Sequence, residues 1–236
     1  MPRAAVVTGA ASGIGRATAY ALAARGYHVA VDHLGRETEA KQVAGDIGGI
    51  AYEADVADVS AVEAMVAAVE SDLGPIEIAV ACAGFDVDVA LKDVTPQLWH
   101  RSLEVILGGC VNVIAAVGPR MRDRRSGSIV CISSELALLG DENHVPYVAA
   151  KSAMIGLARS VAREYGPDQV RVNIICPGPT DTEMLTGRWR DDDYRHSIPL
   201  DRFGAPEELA RAIADVAEWT WCTGQVISPN GGVVIQ

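Results

Sequence analysis

Positive charge is scarce in this chain. Its 236 residues carry 20 Lys and Arg against 31 Asp and Glu, a formal net charge of -11 at pH 7. Binding a nucleic-acid backbone needs a basic face, so that partner class is disfavoured and the charge mainly serves solubility. Lysine is rarest: Lys41, Lys92 and Lys151 stand against seventeen arginines. Metal-ligand patterns are missing too, because the five histidines form no H-x-x-x-H or clustered set. The five cysteines (Cys82, Cys110, Cys131, Cys176, Cys222) are odd in number and contain no C-x-x-C. They read as free thiols in a reducing compartment, not as a disulfide framework. The opening "MPRAAVVTGAASG" has no long apolar signal core, and no run of about 18 apolar residues is found, so a cytoplasmic protein with no membrane span is expected.

What is present is a regular alternation. Short strand-like runs lie at Ala4–Thr8, His28–Val31, Ile50–Ala54, Ile76–Ala81, Ser128–Ser133, Val170–Ile175 and Gly224–Ser228. Several are apolar at consecutive positions, as strands covered on both faces should be. Helical patterns at Ile14–Arg25, Val59–Ser71, Pro96–Met121, Pro146–Tyr165 and Pro206–Trp219 separate them. The expected fold is α/β: a Rossmann-type, doubly wound parallel sheet of seven strands with helices on both faces, in a single domain over 1–236. The one long aperiodic stretch ends at Phe203, and residues 183–203 read as a substrate lid inserted in that domain.

The first strand runs into "TGAASGIG", which places Gly9, Gly13 and Gly15 ahead of a helix. Glycine permits tight backbone and close ligand approach. A helix starting near Ile14 would aim free N–H groups at a pyrophosphate, and Ser12 adds a hydroxyl. The spacing is G-x-x-x-G-x-G and not G-x-G-x-x-G, so a plain strand-to-helix turn stays the alternative. Asp32, at the end of the second strand, is placed to accept hydrogen bonds from an adenosine ribose and to repel a 2′-phosphate. A solvated strand-end carboxylate is the plainer reading. Asp55, ending the third strand, either caps the next turn or faces the adenine.

Tyr147 and Lys151 sit four residues apart, on one face of a helix whose first turn accommodates Pro146. An ammonium beside a phenol favours the phenolate and lowers its pKa from about 10, making Tyr147 a candidate general acid or base. In a chain that otherwise chooses arginine, a lysine here suggests a compact cation holding two ribose hydroxyls and a phenol. Ser134 ends a strand at the sheet edge where open α/β folds bind ligands, and would orient a carbonyl or alcohol oxygen. Strand-end capping by Ser133 and Ser134 is the alternative.

With these motifs in place, the chain resembles the short-chain dehydrogenase/reductase family along essentially its whole length, and is similar to its 3-oxoacyl-acyl-carrier-protein reductase members. Thr8–Gly15 matches the cofactor turn, and Asp55 with Val56 the adenine contact. "ACAG", with Ala83 and Gly84, stands where the family has "NNAG". Ser134, Tyr147 and Lys151 match the catalytic set. "RVNIICPGPTDT", with Pro177, Gly178, Thr180 and Thr182, matches the segment that holds the nicotinamide carboxamide. The resemblance implies hydride transfer between a nicotinamide dinucleotide and a secondary alcohol or ketone, with Tyr147 passing the proton, and a homotetramer or homodimer. NAD is the expected cofactor because of Asp32, with NADP not excluded. Ile106 stands where the family has a catalytic Asn, and its side chain cannot join a water relay behind the lysine, although Gly108 and Gly109 allow a local helix distortion.

On the substrate side, Arg188, Arg190 and Arg195 would recruit an anion, but Asp191, Asp192 and Asp193 beside them favour an ordinary mixed-charge flap. Glu135 and the run Gly140–His144 point to a polar or hydroxylated small molecule. A non-catalytic dinucleotide-binding sensor or scaffold of the same fold is the competing reading, to which Ile106 lends its weight and against which the intact Ser134, Tyr147 and Lys151 speak.

Overall fold

The computed structural model describes residues 3–235. Seven strands, β1 (Ala4–Val7), β2 (His28–His33), β3 (Ile50–Glu53), β4 (Ile76–Ala81), β5 (Gly127–Ile132), β6 (Val170–Ile175) and β7 (Val226–Ile227), form one parallel sheet in the order β3-β2-β1-β4-β5-β6-β7. The chain winds outward from β1 to β3, then returns to lay β4 against the other side of β1. That reversal opens a crevice at the carboxyl ends of β1 and β4.

The consecutive apolar residues follow from double coverage. All four residues of β1 are fully buried, and alternate positions serve opposite cores. Ala4 and Val6 pack with α3 (Val59–Leu73), α5 (Gly109–Arg124) and α7 (Val145–Tyr165). Ala5 and Val7 pack with α1 (Gly13–Ala23), α2 (Glu37–Ile47) and α9 (Pro206–Glu218). In α9 the buried stripe Leu209, Ala210, Ile213, Ala214 and Ala217 has helical spacing. Each large side chain in such a stripe contributes about 1.5–3 kcal/mol on burial. Among the described residues the remaining α-helices are short: α4 (Pro96–Ser102), α6 (Leu136–Leu139) and α8 (Asp192–Ser197).

Four features of these elements bear on the site. The first is α2, absent from the sequence reading: its apolar face is only Ala40, Val43 and Ala44, and a left-handed Gly48 (φ 65°) stops it. The second is in the long helix read as Pro96–Met121, which is interrupted at Leu103–Gly108 by a π-helical turn, the kind of distortion the paired glycines allow. There Gly109 lets the helix close on the loop after β3, since a Cβ would sit 2.6 Å from Val56 Cγ2. Third, the helix Pro96–Arg124 contains an 18-residue window of mean hydropathy 1.6, although Asn112 interrupts its apolar residues. Over half of that window is buried against the sheet and its neighbours, so it is a core helix. Fourth, β2 runs to His33, so Asp32 lies inside the strand, opposite Tyr52.

Candidate active site

The loops at the carboxyl edge enclose a cleft of about 540 Å³. The residues read from the sequence as catalytic or cofactor-binding all line it: Gly9, Ser12, Gly13, Ile14 and Gly15 from the first turn, Asp32, Asp55 and Val56 from the next two strand ends, Ala83 and Gly84 after β4, Ser134, Tyr147 and Lys151, and Pro177, Gly178, Thr180 and Thr182 after β6.

At the first turn the backbone does the work. Gly9 and Gly13 have φ of 64° and 52°. The first N–H groups of α1 have no partner within the helix, and the Ser12 side chain does not cap them. Thr182 closes over the turn, 3.4 Å from where a Gly13 Cβ would be. The turn after β4 is braced by Thr8, whose hydroxyl accepts the N–H groups of Cys82 (3.0 Å) and Ala83 (3.1 Å). Thr8→Val keeps the shape and leaves both groups without that acceptor. At about 1–3 kcal/mol per lost partner, the melting temperature should fall by about 5–10 °C in a thermal melt.

Asp32 is turned under this turn. Its Oδ2 accepts the Gly9 N–H at 3.3 Å and only 1% of the residue is exposed, so it is not a solvated strand end. Burial pushes its carboxyl up to about 7. Its Oδ1 and the Nδ1 of neighbouring His33 are buried without a partner. Two orphaned polar atoms beside unpaired helix N–H groups fit a ribose and a pyrophosphate, so the chain's residues suit a dinucleotide. Asp55 holds the turn that follows it through the Ala57 N–H (2.9 Å) and pairs with Arg101 (2.9 Å).

At the other end of the cleft, α7 presents Tyr147 and Lys151 together, with the ammonium 5.5 Å from the centre of the phenol ring. Lys151 is 4% exposed and donates to the Ile132 carbonyl at 2.6 Å. Burial lowers its pKa, against the pull of Cys82, Cys110, Cys176 and Cys131 around it. The expected acidic phenol is not found: burial first, and the charge of Glu135 second, raise the Tyr147 pKa, while a hydrogen bond with Ser134 works the other way. The lysine, spending a short bond on a backbone carbonyl, does not reverse the cost of desolvation. Ser133 is a structural group after all, donating to the Lys151 carbonyl at 2.7 Å.

No motif in the sequence points to the contact between the α7 entrance and the segment 183–203. His144, 2% exposed, sits with Nδ1 2.8 Å from Asp86 and receives Trp189 Nε1 at 3.4 Å. The segment's arginines face carboxylates: Arg188 pairs with Asp141 and Glu142, Arg190 with Asp181, and Arg195 with Asp192 and Asp201. They are spent on internal pairs, as the mixed-charge reading expects.

This architecture has known counterparts. A family model described as enoyl-(acyl carrier protein) reductase matches residues 9–234. The chain belongs to the short-chain dehydrogenase/reductase family. Among its relatives are the acetoacetyl-CoA reductase of Shinella zoogloeoides, 37% identical over 98% of both chains, and the 3-oxoacyl-acyl-carrier-protein reductase of Staphylococcus aureus, 35% identical over 99% of this chain and 98% of that one. A crystal structure described as ribose-5-phosphate isomerase from Brucella melitensis 16M superposes with a TM-score of 0.94 at 33% identity, covering 99% of this chain and 93% of that one. As a short-chain dehydrogenase/reductase the protein is an NAD(P)-dependent oxidoreductase of ketone and hydroxyl groups.

Proposed function

We propose that this protein interconverts a secondary alcohol and a ketone with Tyr147 as general acid and base. The observation that carries this is the meeting of Ser134, Tyr147 and Lys151 in one cleft with the glycine turn of α1. The bound dinucleotide would supply the hydride. Ser134 and the phenol grip the substrate oxygen, and Tyr147 gives it a proton as the carbon is reduced. Lys151 holds the ribose on the nicotinamide side, and Thr180 and Thr182 the carboxamide. The segment 183–203, tied down through Trp189 and His144, serves as the lid.

For the cofactor we propose NAD. The adenosine end gathers Asp32, Asp55 and Glu183, and the arginines that line the cleft there are already paired, Arg36 with Glu39 and Glu183 and Arg101 with Asp55. A 2′-phosphate arriving there meets carboxylates. Asp32→Asn keeps an acceptor for Gly9 but removes the charge. At about pH 8, where the wild-type carboxyl is ionised, the ratio of NADPH to NADH affinity should rise by about tenfold. An unchanged ratio in fluorescence titrations would remove the argument for NAD.

The relatives' names make 3-oxoacyl thioesters the first substrates to try, beside polyols, hydroxy acids and cyclic alcohols. Turnover of a ketone or alcohol followed at the nicotinamide absorbance supports the reading. Tight dinucleotide binding with no turnover of any of them would support a sensor. The exposed Trp221 and Trp219 near the C-terminus favour a homotetramer or homodimer, which light scattering would distinguish from a monomer.

A further inference from the structure

Tyr147 must recover a proton after each reduction, and its surroundings limit where that proton comes from. Behind it, Lys151 is 4% exposed, donates to Ile132 and is packed among thiols and the 1% exposed Ile106. A Cβ on Gly84 would lie 3.7 Å from both Ile106 Cγ1 and Lys151 Nζ, so both groups pack against Gly84. The Ile106 side chain offers no polar atom.

In front of the phenol the chemistry is different. Ser134 lines the cleft with Tyr147 and acts to lower the phenol's pKa, and its Oγ donates to Glu135 Oε2 at 3.2 Å. Glu135 is 6% exposed and lines the cleft. Its backbone is clamped, with N–H donating to the Pro177 carbonyl at 2.9 Å and its carbonyl accepting from Leu138 at 2.9 Å. The carboxyl is therefore held in place beside the reacting groups.

We propose that Glu135 is the proton store of this enzyme, exchanging H⁺ with Tyr147 through the Ser134 hydroxyl. The inference rests on the alcohol–ketone reading above. In reduction, Tyr147 O–H breaks as the substrate oxygen gains its proton. The phenolate takes the Ser134 hydroxyl proton, and Ser134 takes the proton of the Glu135 carboxylic acid. The electron pair arrives separately with the hydride, so the relay moves only H⁺, and the Glu135 carboxylate is reprotonated from water. Oxidation runs the chain backwards. A hydroxyl, which both donates and accepts, is the group such a relay needs between a phenol and a carboxyl.

The protonation states agree. Burial pushes the Glu135 carboxyl up to about 7, so acid and carboxylate are both available near neutral pH. The groups that face it are Asp141, which raises it, Tyr147 on α7, Tyr194 on α8, and Cys176 after β6. Reduction needs the acid, so its kcat should fall as pH rises through about 7. Oxidation needs the carboxylate and should gain over the same range.

The test compares the full-length wild type with Glu135→Gln, Glu135→Asp and Glu135→Ala, using NADH or NADPH and a reducible ketone. Glu135→Gln should lower kcat for reduction by about ten- to a hundredfold, erase the inflection, and leave dinucleotide KM unchanged. Glu135→Asp should keep an inflection, and added formate should restore part of the Glu135→Ala rate. A uniform rate loss with the inflection retained and no formate rescue would mean that Glu135 only supports the loop, and overturns the proposal. A second readout does not depend on turnover. The wild type should show a carboxylic C=O infrared band titrating near neutral pH that Glu135→Gln lacks, and no difference band overturns the proposal. If that band is present and no ketone or alcohol is turned over, it is the alcohol–ketone reading that fails.

Discussion

Tyr147→Phe should bind the dinucleotide as the wild type does and lose turnover by about a thousandfold, within the span of a positioned proton donor. The substitution removes one oxygen and keeps the ring that packs at the edge of the core formed with α3, α5 and α7. Stability and cofactor affinity should therefore hardly move, while kcat falls. The raised phenol pKa adds a condition. With a phenol harder to ionise than free tyrosine, the unliganded protein should show no tyrosinate absorbance from Tyr147 below about pH 10. Tyr147 would then serve reduction as a reliably protonated donor. Oxidation, which must take a proton onto the phenolate side, depends on an acceptor nearby, and the carboxyl of Glu135 is the group so placed. Steady-state rates in both directions, with fluorescence titration of NADH, decide the matter. Comparable turnover in Tyr147→Phe would remove Tyr147 from the mechanism and leave the site as a dinucleotide binder.

The parts of this site carried by backbone geometry and by motif spacing were open to reading in the sequence. Gly9, Gly13 and Gly15 announce a turn because few other residues tolerate its dihedrals and contacts, and Tyr147 with Lys151 share a face because four residues make about one helical turn. The strand set was legible because burial on both faces leaves runs such as "IEIAVA" without polar interruption. What escaped depends on tertiary approach. The helix α2 is mostly solvated, so its periodic signal is weak. Asp32 is an ordinary strand-end residue by position, and only the folded turn shows its carboxylate beneath Gly9. The raised pKa of Tyr147 does not show in the sequence, which supplies its cationic neighbour but not its burial. The link from His144 to Trp189 joins residues 45 positions apart, and no local pattern announces it.

Gly15→Ala should be the most damaging single methyl in the molecule's cofactor half. A Cβ at Gly15 would fall well inside contact distance of the Gly9 carbonyl oxygen and 3.2 Å from Ala10 Cα, all backbone atoms of the preceding turn. No flexible side chain can swing aside, so α1 must back away from β1, taking the N–H groups of Ile14 and its neighbours with it. Overpacking of this kind costs about 1–3 kcal/mol, and displacing the anion-binding helix end should weaken dinucleotide affinity by about a hundredfold or more. Gly45 supplies the control with the opposite sign. It lies in α2 with nothing within 4 Å of its Cβ position and no positive φ. Gly45→Ala should therefore stabilise the protein by about 0.5–1 kcal/mol through helix propensity, with dinucleotide binding unchanged. Thermal melts and NADH titrations of the two variants separate a general intolerance of substitution from a steric requirement at one turn. If Gly15→Ala bound NADH like the wild type, the close approach of α1 to the β1 turn would not be what shapes the cofactor site.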